Sequence, residues 1–318
     1  MRTSAPPNDN ASFSIFLLTD SPGLEWAHRW ISRPIFVGHL VALVSNVSVL
    51  HLVQTDPSLQ QPMYYFLAIL AVTDLGLCMS TLPSVLGLLW FDVWMVGLAP
   101  CVLQQHFLHS FSFMESAVFF AMALDHLVAI RFPLHYASVL TSPRVALARA
   151  VLGIHSAPIT AAPSLNLLKF DYCRRGALSH AYCLHQDMIH LACSDTCFNK
   201  LYGLCIIMLD IGSDVLFILI SYSVILRTVL AIASAKERLK ALNTCGSHVC
   251  AVLAYYVPMI GLSMVHRFGL HVSPLVHAMM ANAYLFFPPV INPIVYSIKT
   301  KEIHHGIVRM LFQKRARV

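Results

Sequence analysis

Charge is scarce in this chain. Asp, Glu, Lys and Arg make up 11% of its 318 residues, where a soluble domain carries about a quarter. Signatures of catalysis are missing too. No Gly-Lys-Ser/Thr phosphate loop, Gly-x-Gly-x-x-Gly, Gly-x-Ser-x-Gly or His-Glu-x-x-His occurs, so an enzyme reading has no nucleophile–base pair to rest on. The repeated halves and paired broken helices of many transporters are absent, as are low-complexity tracts. No cleavable leader is legible. Pro6, Pro7, Asp9, Asn10, Asp20 and Glu25 interrupt the first 25 residues, and the apolar patch Ile15 to Leu18 is too short for a signal-peptide core. The first apolar span is therefore expected to be its own targeting signal.

What is present is hydrophobic, 57% of the chain, and it comes in long runs. Spans at 33–53, 63–86, 100–130, 144–163, 199–227, 240–265 and 273–297 can each cross about 30 Å of hydrocarbon as a helix. In lipid the backbone must pair internally, so helices are required. The expected fold is an all-α membrane protein, a bundle of seven transmembrane helices. It is expected to form one unit over 1–318, with an outer tail at 1–32, the bundle at 33–297 and an inner tail at 298–318. With the N-terminus outside, 13 of the 21 Lys and Arg fall on the inner side, as orientation rules ask. The net charge of +6 suits a cytoplasmic face against anionic lipid. These basic residues are too dispersed for a nucleic-acid partner.

Cysteines divide by side. Cys78, Cys205, Cys245 and Cys250 are expected as free thiols. Cys101, Cys173, Cys183, Cys193 and Cys197 lie at or near the outer face, where disulfides persist. The loop at 164–199 mixes Cys and His, but its spacings are irregular and without a Cys-x-x-Cys pair, so a disulfide-stapled lid fits better than a zinc site. Four cysteines allow three pairings; Cys197 is the expected leftover. Asn10-Ala11-Ser12 is a glycosylation acceptor in the outer tail, whereas Asn46-Val47-Ser48 lies inside the first span.

Ionisable groups inside the membrane are costly and so are candidates for function. Asp74 and Glu115, facing each other with Asn46 and Asn292, can hold a sodium ion or share a proton; a packing network is the alternative. Asp210 and Asp214, one turn apart, are expected to pack or hydrogen-bond. Gln105, His109, Ser112 and Ser116 share a face of the third span, and Tyr256, Ile260, Ser263 and Arg267 share one of the sixth. Two such faces can line one outer cavity. Arg267 is the fixed positive charge of 266–272. It either binds a ligand carboxylate through paired hydrogen bonds, or reaches headgroups or an outer-loop acid such as Asp187.

Several stretches carry a family likeness. "PMYYFLAILAVTDL", "MALDHLVAIRFPLHY", Ser221-Tyr222, "KALNTCGSHVCAVLAYYVPMI" and "PPVINPIVYSIKTKEI" resemble the odorant receptors, a branch of the rhodopsin-like G-protein-coupled receptors. "LSHAYCLHQD", "LAC" and "GLSMVHRFG" are similar to the class I, fish-like subfamily. The resemblance implies a multi-pass plasma-membrane receptor with a short amphipathic helix after the seventh span. It pairs Cys101 with Cys183 and Cys173 with Cys193. It matches Asp74 and Glu115 to a cation site, Tyr256 and Pro258 to a pivot, and Asn292, Pro293 and Tyr296 to a switch. Acidic odorants such as short carboxylic acids would sit at His109, Gln186, Ser263 and Arg267, beside Gln105 and Tyr256. Asp125, His126 and Tyr222 would face a stimulatory G protein that raises cyclic AMP. One departure matters: the family's Asp-Arg-Tyr is here Asp125-His126-Leu127. Histidine is shorter and only partly charged at neutral pH, so weakened coupling is expected. The alternative is a receptor-like membrane protein with little or no signalling.

Overall fold

The computed structural model describes residues 15–18, 28–91, 93–139, 142–172, 177–178, 180–268 and 273–313. Seven long helices dominate them: α1 (His28–Thr55), α2 (Pro62–Trp90), α3 (Leu98–Arg131), α4 (Ser142–Leu167), α5 (Cys197–Leu230), α6 (Ala235–Phe268) and α7 (Pro274–Lys299). Among the described residues α1, α2, α3, α5 and α6 each hold a stretch long and apolar enough to cross a membrane. α4 and α7 have 26 residues apiece, or about 39 Å of helix, enough to span. α8 (Lys301–Gln313) follows as a shorter helix. Its buried Ile303 faces the bundle, and Gly306 lies against Leu52 of α1.

α3 is the axis, packed against α2, α4, α5 and α6. Its Phe119 and Met122 are wholly buried. α7 closes the ring between α6 and α1. At Gly76 of α2, an added Cβ would run into the Phe111 ring of α3, so this crossing depends on the missing side chain. Small residues of this kind let membrane helices pack, because lipid supplies no hydrophobic drive between them. α6 starts five residues before the expected 240, since Ala235-Lys-Glu-Arg-Leu are all good helix formers emerging into water.

Prolines inside the helices leave carbonyls without a ladder donor, and at two of them a neighbouring helix supplies one. Pro293 has no N–H for the Pro289 carbonyl, and Asn46 Nδ2 of α1 donates there at 2.9 Å. Pro163 likewise frees the Ile159 carbonyl, which accepts from the Tyr202 hydroxyl of α5 at 3.0 Å. α5 itself contains a wide π turn at Ile207–Ile211. Ser273 caps α7, its Oγ accepting from Val276 N, with Pro274 at the first helical position.

The outer end is built from less regular pieces. β1 (Ile15–Leu18) lies between β2 (Met95–Gly97), antiparallel, and β3 (Ala177–Leu178), parallel. This small sheet departs from the all-helical expectation. Buried Phe16 stands edge-on to Tyr172, ring centres 5.0 Å apart. A disulfide joins Cys101 at the top of α3 to Cys183. Cys193 is also disulfide-bonded; its expected partner Cys173 lies outside the described residues, as does Asn10. Cys78, Cys197, Cys205, Cys245 and Cys250 are free.

Candidate ligand cavity and inner coupling surface

Because Cys183 is tied to α3, the lid residues after it are pressed onto the mouth of the bundle. Its backbone N–H donates to Gln104 Oε1 at 2.9 Å, and a short lid helix, His185–Leu191, follows. Beneath lies a cavity of about 470 Å³, within the usual range for small-molecule sites. α3 contributes Gln105, His109 and Ser112, the lid His185 and Gln186, and α6 Met259, Leu262 and Ser263. α4 and α5 complete the wall with Thr160, Ser164, Asn199 and Lys200, and Ile207 and Ile211 of the π turn face inward.

Of the expected ligand residues, Gln105, His109, Gln186 and Ser263 therefore share one wall. Tyr256 does not line it. It sits a turn below, paired with Ser116 at 2.7 Å. Ile260, expected on the same face, is exposed instead; the helix turns Met259 and Leu262 inward. Arg267 occupies the last turn of α6, four residues beyond Ser263; its side chain lies outside the described residues.

The cavity wall is polar in a directed way. Gln105 Nε2 donates to Ser164 Oγ at 2.7 Å, and Gln105 Oε1 accepts from His185 Nδ1 at 3.2 Å. The rings of His109 and His185 stand edge to face with centres 6.2 Å apart. Nε2 of each is buried with no hydrogen-bond partner. Burial, and then His109 nearby, lowers the His185 pKa to about 3, so this lid imidazole is neutral. On the floor, Tyr255 donates its proton to the Ser112 carbonyl at 2.7 Å. The Ser112 hydroxyl then donates to Tyr255 at 2.9 Å and accepts from Tyr284 of α7. One serine so ties the floor to both α6 and α7.

Below the floor, Asn292 Nδ2 lies 3.2 and 3.3 Å from the two Asp74 oxygens and 3.0 Å from Glu115 Oε1. All three residues are buried, and Glu115 Oε2 and Asn292 Oδ1 have no partner. Two carboxylates sharing one amide need a proton or a cation between them, and the two unpartnered oxygens suit either. Asn46 is not part of this cluster, contrary to expectation, because its amide serves the Pro289 carbonyl. Asp214 accepts from Ser116 at 2.7 Å, the hydrogen-bonding role expected of it.

At the inner end, the Asp125 carboxylate accepts from Tyr136 at 2.8 Å. Burial, and then Asp125, push the Tyr136 phenol up, so it stays a donor. His126 turns Nδ1 back to the Met122 carbonyl at 2.6 Å and stacks on His248 of α6, ring centres 5.3 Å apart. His248 Nδ1 pairs with the Tyr222 hydroxyl at 2.6 Å. Tyr296 is buried and its hydroxyl has no partner. Sequence reasoning missed His185, Ser164 and Lys200. The signal was available for His185: a bridge between Cys101 and Cys183 sets residue 185 beside residue 105.

A sequence profile described as "Olfactory receptor" matches residues 35–314. Human olfactory receptor 51L1 is 48% identical over 308 residues, covering 97% of this chain and 98% of that protein. Human olfactory receptor 51Q1 is 50% identical over 301 residues, 94% of each. Squid rhodopsin matches in fold, with a TM-score of 0.74 at 17% identity over 96% of this chain and 87% of that one. The chain belongs to the olfactory receptor family: a multi-pass plasma-membrane G-protein-coupled receptor, not an enzyme, whose partners are a small-molecule ligand and a G protein.

Proposed function

We propose that this receptor detects small acidic odorants, such as carboxylic acids, and signals through a stimulatory G protein to raise cyclic AMP. One observation carries the reading. The described wall of the cavity presents one fixed positive charge, Lys200, and no Asp or Glu. Arg267 stands one turn outward of Ser263. A ligand bridging α3 and α6 shifts the receptor toward the state it binds better, by its differential affinity alone. Ser112 is the natural relay, holding the floor to α6 and α7. Asp74 and Glu115 hold a sodium ion or share a proton beneath it.

The test is a cyclic AMP reporter with aliphatic acids and their methyl esters. Acids activate the native receptor and esters do not. Arg267→Ala and Lys200→Ala together raise the half-maximal concentration about tenfold or more, the loss expected for charge-assisted bonds. Equal responses to acid and ester overturn the reading.

A second reading, little or no G-protein signalling, is favoured by His126. Its imidazole is spent on its own helix backbone and on His248, and cannot reach a partner as an arginine does. His126→Arg separates the two. A rise in maximal signal at equal surface amount supports weakened coupling in the native chain; no change removes His126 as the cause.

A further inference from the structure

The hydrogen bonds behind His185 determine which of its ring nitrogens carries the proton. Ser164 has a single hydroxyl proton, and it goes to the Thr160 carbonyl at 2.7 Å. The serine oxygen can then only accept, so the amide nitrogen of Gln105 must face it at 2.7 Å. That places Gln105 Oε1 toward His185 at 3.2 Å. An amide oxygen accepts, so His185 Nδ1 carries the hydrogen. Burial keeps the ring neutral, with its pKa lowered to about 3, and a neutral imidazole holds one proton. Nε2 is therefore a bare lone pair. It is buried, has no partner, and belongs to a residue lining the cavity. A buried acceptor without a donor is costly, so the ligand that fits best brings one.

We propose that the cavity selects hydroxyl-bearing odorants, hydroxy acids in particular, with His185 Nε2 accepting the hydroxyl proton and Gln105 acting as the positioning residue. The hydroxy-acid part rests on the acidic-odorant reading above; the hydroxyl part does not. A carboxylate has no proton to give, so the acid group turns to the cationic wall and the hydroxyl to the lid. An ether of the same shape offers no donor and leaves the lone pair unmet. The site thus reads proton donors at the lid and negative charge elsewhere.

The experiment compares hexanoic acid, 3-hydroxyhexanoic acid, 3-methoxyhexanoic acid, 3-hexanol and 3-methoxyhexane on the native receptor and on His185→Phe and Gln105→Met, with surface amounts matched. The native receptor favours each hydroxyl compound over its methyl ether about tenfold, the worth of one hydrogen bond to a buried group. His185→Phe brings that ratio near one. Gln105→Met, which frees the ring to move its proton, also lowers the ratio. If the acids fail but 3-hexanol still outperforms its ether, the acidic reading falls and the hydroxyl inference stands. If hydroxyl and methoxy partners act alike on the native receptor, the inference is overturned. A readout independent of odorants is nitrogen NMR of the histidine-labelled native receptor. His185 Nε2 gives an unprotonated, pyridine-type signal that Gln105→Met alters; a protonated Nε2 overturns the inference whatever the reporter shows.

Discussion

Replacing Asn46 by Leu isolates one hydrogen bond whose need comes from a proline elsewhere in the chain. Asn46 Nδ2 donates at 2.9 Å both to Ala42 O, within its own helix, and to Pro289 O across the bundle. The Ala42 carbonyl keeps its own helix donor, so losing the first bond matters little. The Pro289 carbonyl has no ladder donor, because residue 293 is proline, and the site is buried. Leaving such a carbonyl bare costs about 1–3 kcal/mol. Interhelical bonds in membranes average about 0.6 and reach about 1.7 kcal/mol. The expected loss is therefore about 1–2 kcal/mol, a fall of a few degrees in the thermal midpoint of the detergent-purified receptor. Pro293→Ala provides the control. That substitution restores a backbone N–H, which bonds Pro289 O directly, so Asn46→Leu becomes nearly neutral in that background, a coupling of about 1 kcal/mol. The same cost in both backgrounds refutes the argument that Asn46 serves the carbonyl freed by Pro293.

Other outcomes follow from the same packing. Gly76→Leu forces Phe111 aside and lowers cell-surface delivery, and Phe111→Ala in the same chain restores part of it. Ser112→Ala strands the buried Tyr284 hydroxyl and costs about 1–3 kcal/mol; adding Tyr284→Phe recovers most of it in a thermal melt. The lid weakens in acid. His185 has a folded pKa lowered from 6.5 to about 3, so its contribution is full above pH 6.5 and is lost as pH falls toward 3. Protection factors of amides 183–191, corrected for intrinsic exchange at each pH, should fall between pH 7 and 5, less so in His185→Asn; an unchanged slope in the variant contradicts this.

The spans were legible because lipid leaves the backbone few options, and long apolar runs with Pro and polar residues at their ends mark each helix. The shared face of Gln105, His109 and Ser112 was legible for the same geometric reason, helical period. Ile260 escaped it, because spacing gives relative phase along α6 and not which phase faces inward; Tyr256 does face α3, but a turn too deep to line the cavity. β1, β2 and β3 have two to four residues each, too few for an alternation to show. Asn46 was misassigned to the carboxylates because sequence displays an intramembrane amide but not the carbonyl that Pro293 strands a whole bundle away. Lys200 went unnoticed because one lysine at the start of an apolar run reads as an ordinary headgroup anchor.

The wide turn at Ile207–Ile211 divides α5 into two stretches that need not share a phase. Removing one residue there would swing everything above it by about 100° while the portion carrying Tyr222 stayed where it is. Such a joint lets the odour-facing half be rotated or recut over evolutionary time without disturbing the half that meets the intracellular partner.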